Sequence, residues 1–235
     1  MKIFFYDLET TGLDLRENAI VQIAGIIADL ETDGALKPVD AINLKMQPAP
    51  GKKVSMAAFE VNGLDVETVK SFPQQDVQFK KLLKFLDRHV DRFNKLDKLR
   101  LAGYNNSRFD NDFLRQWFLD NNDSYFGSYF WNDGLDVMSE ASRYLFHYRP
   151  ILTNFSLGNI GNVLGIIGSN EGLHDGLYDI KLTFKVFKKI LESGQLIMPF
   201  DEEVATKIFK QQQETKEMFI KKPIDMSNDK VIVWS

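Results

Sequence analysis

The sequence predicts an α/β fold, a mixed sheet flanked by helices, and three observations predict it. The chain opens on an almost continuous apolar run, Lys2 to Leu8, of the kind that forms a strand covered on both faces. Two further strand-like runs follow before any helical spacing begins, which makes an antiparallel meander. After residue 75, helical and strand-like segments alternate, so the order is β-β-β-α-β-α and then helices. At 235 residues, with 44% hydrophobic and 26% charged types, the chain suits one core, or one core with a short appendage.

Taken in order, Lys2–Leu8 holds Ile3, Phe4, Phe5 and Tyr6 and is broken only by Asp7, with a turn at Thr11 and Gly12. Ile20 to Leu30 is long and β-branched, and Asp33-Gly34 supplies a hairpin turn before a third strand near Ala41 to Met46. Gln75 to Phe93 has helical spacing, with Val77, Leu82, Leu83, Phe85, Leu86 and Val90 inward and Lys80, Lys81, Lys84, Asp87 and Arg88 outward. Leu99 to Tyr104 is a short strand, and Asn105, Asn106 and Ser107 lead into a helix from about Arg108 to Leu119 striped by Phe113, Leu114, Trp117 and Phe118. Leu135–Phe146 and Ser156–Leu164 look helical, Gly165, Gly168 and Gly172 mark a connection, and a helix runs from about Gly176 to Leu191. Gly194 and Pro199 punctuate the chain before a last helix near Glu202 to Phe219. The expected organisation is a core over 1–192 and a helical appendage over 193–235. This order of elements is that of an RNase H-like fold with a five-stranded mixed sheet.

Composition removes several kinds of function. With no cysteine, disulfides, thiolate metal sites and cysteine nucleophiles are excluded, and a cytoplasmic, reducing compartment is expected. Met1-Lys2 runs straight into the first strand, so no secretory leader is expected. The longest apolar stretch, Ala19 to Leu30, is interrupted by Gln22 and Asp29 and falls short of the ~20 residues a bilayer requires, so no membrane partner is expected. A net charge of -4 argues against holding nucleic acid by bulk positive charge. A polyanion would need a local device, such as bound divalent cations that reverse the field of surrounding carboxylates.

Carboxylates stand where apolar residues belong. Strand residues two apart share a face, so Asp7 and Glu9 lie on the side of Ile3 and Phe5 with no Lys or Arg beside them. The alternative makes both acids wet turn residues. Asp110 precedes Phe113, Leu114 and Trp117 by three, four and seven places, which puts it on the apolar stripe; an N-cap is the competing role. Asp179 shares its helix face with Thr183, Val186 and Ile190, while Lys181, Lys185, Lys188 and Lys189 lie opposite; a first-turn acid favoured by the helix dipole competes. His174 sits in a loop bounded by Gly172 and Gly176, and an imidazole with a pKa near ~6.5 suits taking a proton from water. His89 and His147 receive no role, and Asp136 is read as structural. Four carboxylates would balance two Mg2+ or Mn2+ ions, which hard oxygen ligands suit better than zinc.

Tyr6-Asp7-Leu8-Glu9-Thr10-Thr11-Gly12-Leu13, then Tyr104-Asn105-Asn106 leading to Phe109-Asp110, then His174 five places before Asp179, resemble the three motifs of the DEDDh 3′-to-5′ exonucleases. The likeness covers residues 1–192, and its wording is nearest to bacterial exonuclease I and the proofreading epsilon subunit of DNA polymerase III. The resemblance implies that Asp7, Glu9, Asp110 and Asp179 hold two Mg2+ or Mn2+ ions and that His174 is the general base. It implies contacts from Thr10, Gly12 and Leu13 to the terminal nucleotide, and makes Asn106 a substrate-contact candidate where many relatives carry His-Asn. The tyrosine branch of the superfamily is set aside because Asp175 stands where its tyrosine would be. The expected activity is metal-dependent 3′-to-5′ hydrolysis of single-stranded DNA to nucleoside 5′-monophosphates. A 3′-5′ exoribonuclease or oligoribonuclease is the alternative within the class, and a non-catalytic nucleic-acid-binding or polymerase-accessory module the alternative outside it. Residues 193–235 are expected either to contact a polymerase or clamp or to pack on the core. A two-carboxylate glycoside hydrolase would need neither the third acid nor the histidine.

Overall fold

Strand β1 (Lys2–Thr10) is the hub of the sheet in the computed structural model, which describes residues 1–106, 109–166, 176–218 and 229–234. On one side β1 pairs antiparallel with β2 (Ile20–Leu30), from Lys2 opposite Asp29 to Thr10 opposite Ile20. Beyond β2 lies β3 (Leu36–Lys45), also antiparallel. On the other side β1 runs parallel to β5 (Arg100–Gly103), and β5 parallel to β6 (Leu135–Asp136), so the order is β3-β2-β1-β5-β6. This is the mixed five-stranded sheet expected. The meander demands a close approach at Gly25, where a Cβ would run into the ring of Phe4.

The period-two alternation of β1 divides the interior. Phe4, Tyr6 and Leu8 enter a core with α3 (Gln75–Asp87) and α4 (Asp110–Asp120), which supply Phe79, Leu82, Phe113 and Trp117. Ile3 and Phe5 enter the opposite core with α6 (Val137–Tyr144), α7 (Leu157–Val163) and α8 (Gly176–Glu192). Helix α8 packs across β1 and β2, with Phe184 edge-on to Phe5 at a ring separation of 5.4 Å.

Several elements differ from expectation. Helix α3 stops at Asp87 rather than Phe93, and Phe93 is exposed. Val77 faces solvent, while Gln75 and Gln78 turn inward and donate to the carbonyls of Ile20 and Lys45. The segment expected to be helical from Leu135 first spends two residues in β6, because Asp136 accepts from the Met138 N–H and so caps α6 instead of entering it. The third strand begins at Leu36, earlier than Ala41. Between Lys53 and Lys70 lie β4 (Lys53–Ser55), α1 (Met56–Val61) and α2 (Val66–Lys70), for which the sequence carries no periodic signal. Phe126–Tyr129 adds a single turn, α5.

Residues after 192 do not simply trail away. Helix α9 (Glu202–Met218) buries Ile208 in the α8 core, and Gln212 exchanges hydrogen bonds with Asn159 and accepts from Thr153. Strand β7 (Val231–Val233) pairs antiparallel with β4, and Trp234 is buried with Val21, Val54, Phe59 and Val69. Ser107, Arg108, Gly168, Gly172, His174, Asp175 and Phe219 lie outside the described residues. No described helix is long and apolar enough to cross a membrane.

Candidate active site

The polar end of β1 meets the first turns of α4 and α8. Asp7, half-buried and opposite Ala24, continues the Ile3–Phe5 face beneath α8. Burial pushes its carboxyl well above the usual carboxylate range, and the charges of Asp110, Glu9 and Asp179 push it further. Four acids from three elements are thus within electrostatic reach of one another.

Asp110 is the first residue of α4 and is buried, but it does not cap its helix; Phe109 occupies the cap position. Its Oδ1 instead accepts from the Leu8 N–H at 3.3 Å, tying α4 to β1. Burial raises its carboxyl to about 7, against the lowering effect of its own and the Leu8 N–H groups. One residue on, Asn111 Oδ1 accepts from the Tyr6 hydroxyl at 2.7 Å, a second rivet between the two elements. Asp179 lies in the first turn of α8, with Thr183, Val186 and Ile190 buried and Lys181, Lys185 and Lys189 turned to solvent.

Neither Asp7 nor Asp110 has a cationic side chain beside it among the described residues. Buried carboxyls in that condition are costly, and every donor in the cluster is a hard oxygen, so the set fits Mg2+ or Mn2+. No three described acidic or imidazole side chains are already gathered into a finished cage.

A cleft of about 520 Å³ leads away from Glu9. Thr10, Gly12 and Leu13 line it together with Lys53, Val61, Asn62, Phe109 and Val231. The Thr10 hydroxyl donates to the Gly12 carbonyl at 2.9 Å, and its own carbonyl accepts from Asn62 Nδ2. At Gly12 a Cβ would come within 2.6 Å of Asn18, whose amide is held by the Asp14 N–H and the Lys53 carbonyl. Leu13 is 78% exposed. Lys53, Asn62 and Val231 escape sequence reasoning because they come from very short elements or from a chain segment far from the motifs, and Phe109, though inside the second motif, receives no role there.

Asn106 lies at the end of β5, beside β1 but not on this cleft. It is 1% exposed, and neither polar atom of its side chain is hydrogen-bonded among the described residues. It sits tight against Gly103, where a Cβ would meet it at 2.7 Å. Asn105 before it takes φ 60, a left-handed corner that asparagine tolerates, and its N–H donates to Asp136 Oδ1 at 2.9 Å. Asp136 is thus structural, clamping the corner and capping α6.

Comparison with known proteins gives the family and the fold. Residues 4–187 match the RNase T family model, described as Exonuclease. Ribonuclease T of Hahella chejuensis is 26% identical over 109 residues, 46% of this chain and 49% of that protein. Ribonuclease T of Photobacterium profundum is 20% identical over 197 residues, covering 79% of each. The zinc-ion-bound form of the E. coli exonuclease I complex with single-stranded DNA superposes with a TM-score of 0.64 at 20% identity, covering 92% of this chain and 44% of that one. The matched stretch thus spans about half the length of the Hahella relative and less than half of exonuclease I.

Proposed function

Because this chain belongs to the RNase T exonuclease family, with a DEDDh-type domain over most of its length, we propose that it is a metal-dependent 3′-to-5′ exonuclease acting on single-stranded DNA. The observation that carries this reading is the meeting of the charges of Glu9, Asp110 and Asp179 at Asp7, with Asp110 buried and Asp7 half-buried beside no cationic side chain among the described residues. Such a cluster costs stability, which the Leu8 N–H bond to Asp110 offsets only in part. Those four residues would hold two Mg2+ or Mn2+ ions. The chemistry supplied by the ions when bound is activation of water and stabilisation of the leaving oxygen in an in-line displacement. His174 takes the proton of the attacking water. The water oxygen bonds to phosphorus, the bond from phosphorus to the preceding 3′ oxygen breaks, and a nucleoside 5′-monophosphate leaves a strand shortened by one. Thr10, Gly12 and Leu13 seat the end nucleotide in the cleft, and Asn106, buried off the cleft with its amide uncommitted among the described residues, would act through a neighbour rather than touch the nucleic acid.

RNA is the second reading, and the relatives named Ribonuclease T favour it. End-labelled DNA and RNA strands incubated with Mn2+ or with EDTA test both. Ladder formation from the 3′ end with Mn2+, lost with EDTA and in Asp7→Ala, is the expected result. Unchanged strands for wild type and variant alike would leave a binding or accessory module in its place. A polymerase or clamp contact would have to use the outer face of α9, since Ile208 and Gln212 are committed inward.

A further inference from the structure

The cleft beside Glu9 has a wall that no motif announces. Three large apolar side chains are left exposed around it: Leu13 at 78%, Val231 at 52% and Val61 at 45%. Its charged lining is mostly anionic, with Glu9, Asp14, Glu17 and Asp229, and its lysine, Lys53, is paired with Glu17 at 2.7 Å. An acidic, partly apolar cleft repels phosphate and suits the uncharged sugar and base of a nucleotide.

Val231 and Asp229 reach this cleft by tertiary pairing. Ser55 pairs with Val231 and Lys53 with Val233 across β4 and β7. Asp229 Oδ1 accepts from the Ala57 N–H at 3.0 Å, and the Gly51 and Trp234 N–H groups close the far end of the ribbon. The other edge of β4 is bound to the loop after β1: the Ser55 N–H donates to the Thr11 carbonyl at 2.8 Å, the Lys53 N–H to Glu17, and the Lys53 carbonyl accepts from Thr11 Oγ1 and Asn18 Nδ2. One continuous ladder therefore joins the last described strand to the loop carrying Gly12 and Leu13.

Building on the exonuclease reading, we propose that β7 completes the substrate cleft, with Val231 supplying apolar wall for the sugar or base of the end nucleotide and β4 coupling that wall to the Gly12–Leu13 loop. Val231→Asp places a charge in the wall; Val233→Asp places the same charge on the same strand, at a 64% exposed residue that does not line the cleft. For a single-stranded oligonucleotide, V231D is expected to raise KM about fivefold or more with kcat changed less than about twofold, and V231A to do so by a smaller factor. V233D is expected to match wild type. Thermal midpoints exclude unfolding, and V231A is decisive if V231D does not fold. Equal KM effects from V231D and V233D, or none from V231D and V231A, would overturn the proposal. If wild type hydrolyses no strand, titration with AMP separates the two readings. Weaker binding in V231D alone upholds the wall while the exonuclease reading falls, and equal binding in all variants overturns both.

Discussion

Asp110 shows how much chemistry rests on the surroundings of one side chain. Its carboxyl ionises near 3.8 in an unfolded chain and near 7 in the folded one, because burial disfavours its charged form. For a raised carboxyl the sign is fixed: its stabilising contribution is complete below about pH 4, falls away as pH rises towards 7, and is absent above that. Without metal, Asp110→Asn should therefore be more stable than wild type at pH 8 by about 2–4 kcal/mol, and equal to it near pH 4, in paired urea titrations. The same variant should lose metal-stimulated hydrolysis. A variant less stable than wild type at pH 8 would show that the ionised carboxylate is well accommodated and undercut the ion-holding role. Gly12 poses the opposite problem, since its neighbour leaves no room for a side chain. Gly12→Ala should displace Asn18, cost about 1–3 kcal/mol and raise KM more than it lowers kcat.

At the scale of elements, legibility followed length and periodicity. β1, β2, α4 and α8 were legible because nine or more residues repeat a pattern of two or 3.6, and the repeat itself says which face is inward. It placed Asp7 with Ile3 and Phe5, and Asp179 with Thr183 and Val186. Elements of two to six residues, such as β6, β4 and α1, complete no repeat, so they had to be seen. Buried glutamines were hidden for a different reason: Gln75, Gln78 and Gln212 look like surface until their carbonyl, indole or amide partners are known. Two variants test these joints. Asp136→Ala removes the α6 cap and the acceptor of the Asn105 N–H, and should cost about 1–2 kcal/mol while lowering kcat/KM and sparing Mn2+ affinity. Gln212→Leu strands Asn159 and Thr153, and should lower stability by about 1–3 kcal/mol with no change in KM, measured by denaturation and by initial rates.

The whole molecule sets two cores against one sheet and gathers charge at the end of its central strand, so metal removal should lower stability and activity together. Mn2+ should raise the thermal midpoint more at pH 8, above the value of about 7 to which burial lifts Asp110, than at pH 5, where Asp110 is protonated; a larger rise at pH 5 would contradict the cluster as the binding site. The segment after 192, expected to be an appendage, is sewn to the body at Ile208, Gln212 and Trp234, and Trp234→Ala should cost about 3–5 kcal/mol through the small cluster around Val54 and Phe59. By itself the sequence determined the mixed sheet with its flanking helices, the inward faces of β1, α4 and α8, and the family signature from Asp7 to Asp179, because those are local periodicities and spacings. Only the tertiary structure decided that Asp110 reaches across to the Leu8 N–H, that Asp136 clamps the Asn105 corner and that Val231 walls a cleft begun at Glu9. Contacts between residues far apart in the chain, from 31 places for Asn105 and Asp136 to 102 for Leu8 and Asp110, leave no local pattern, since packing and backbone pairing select them only after the chain has folded.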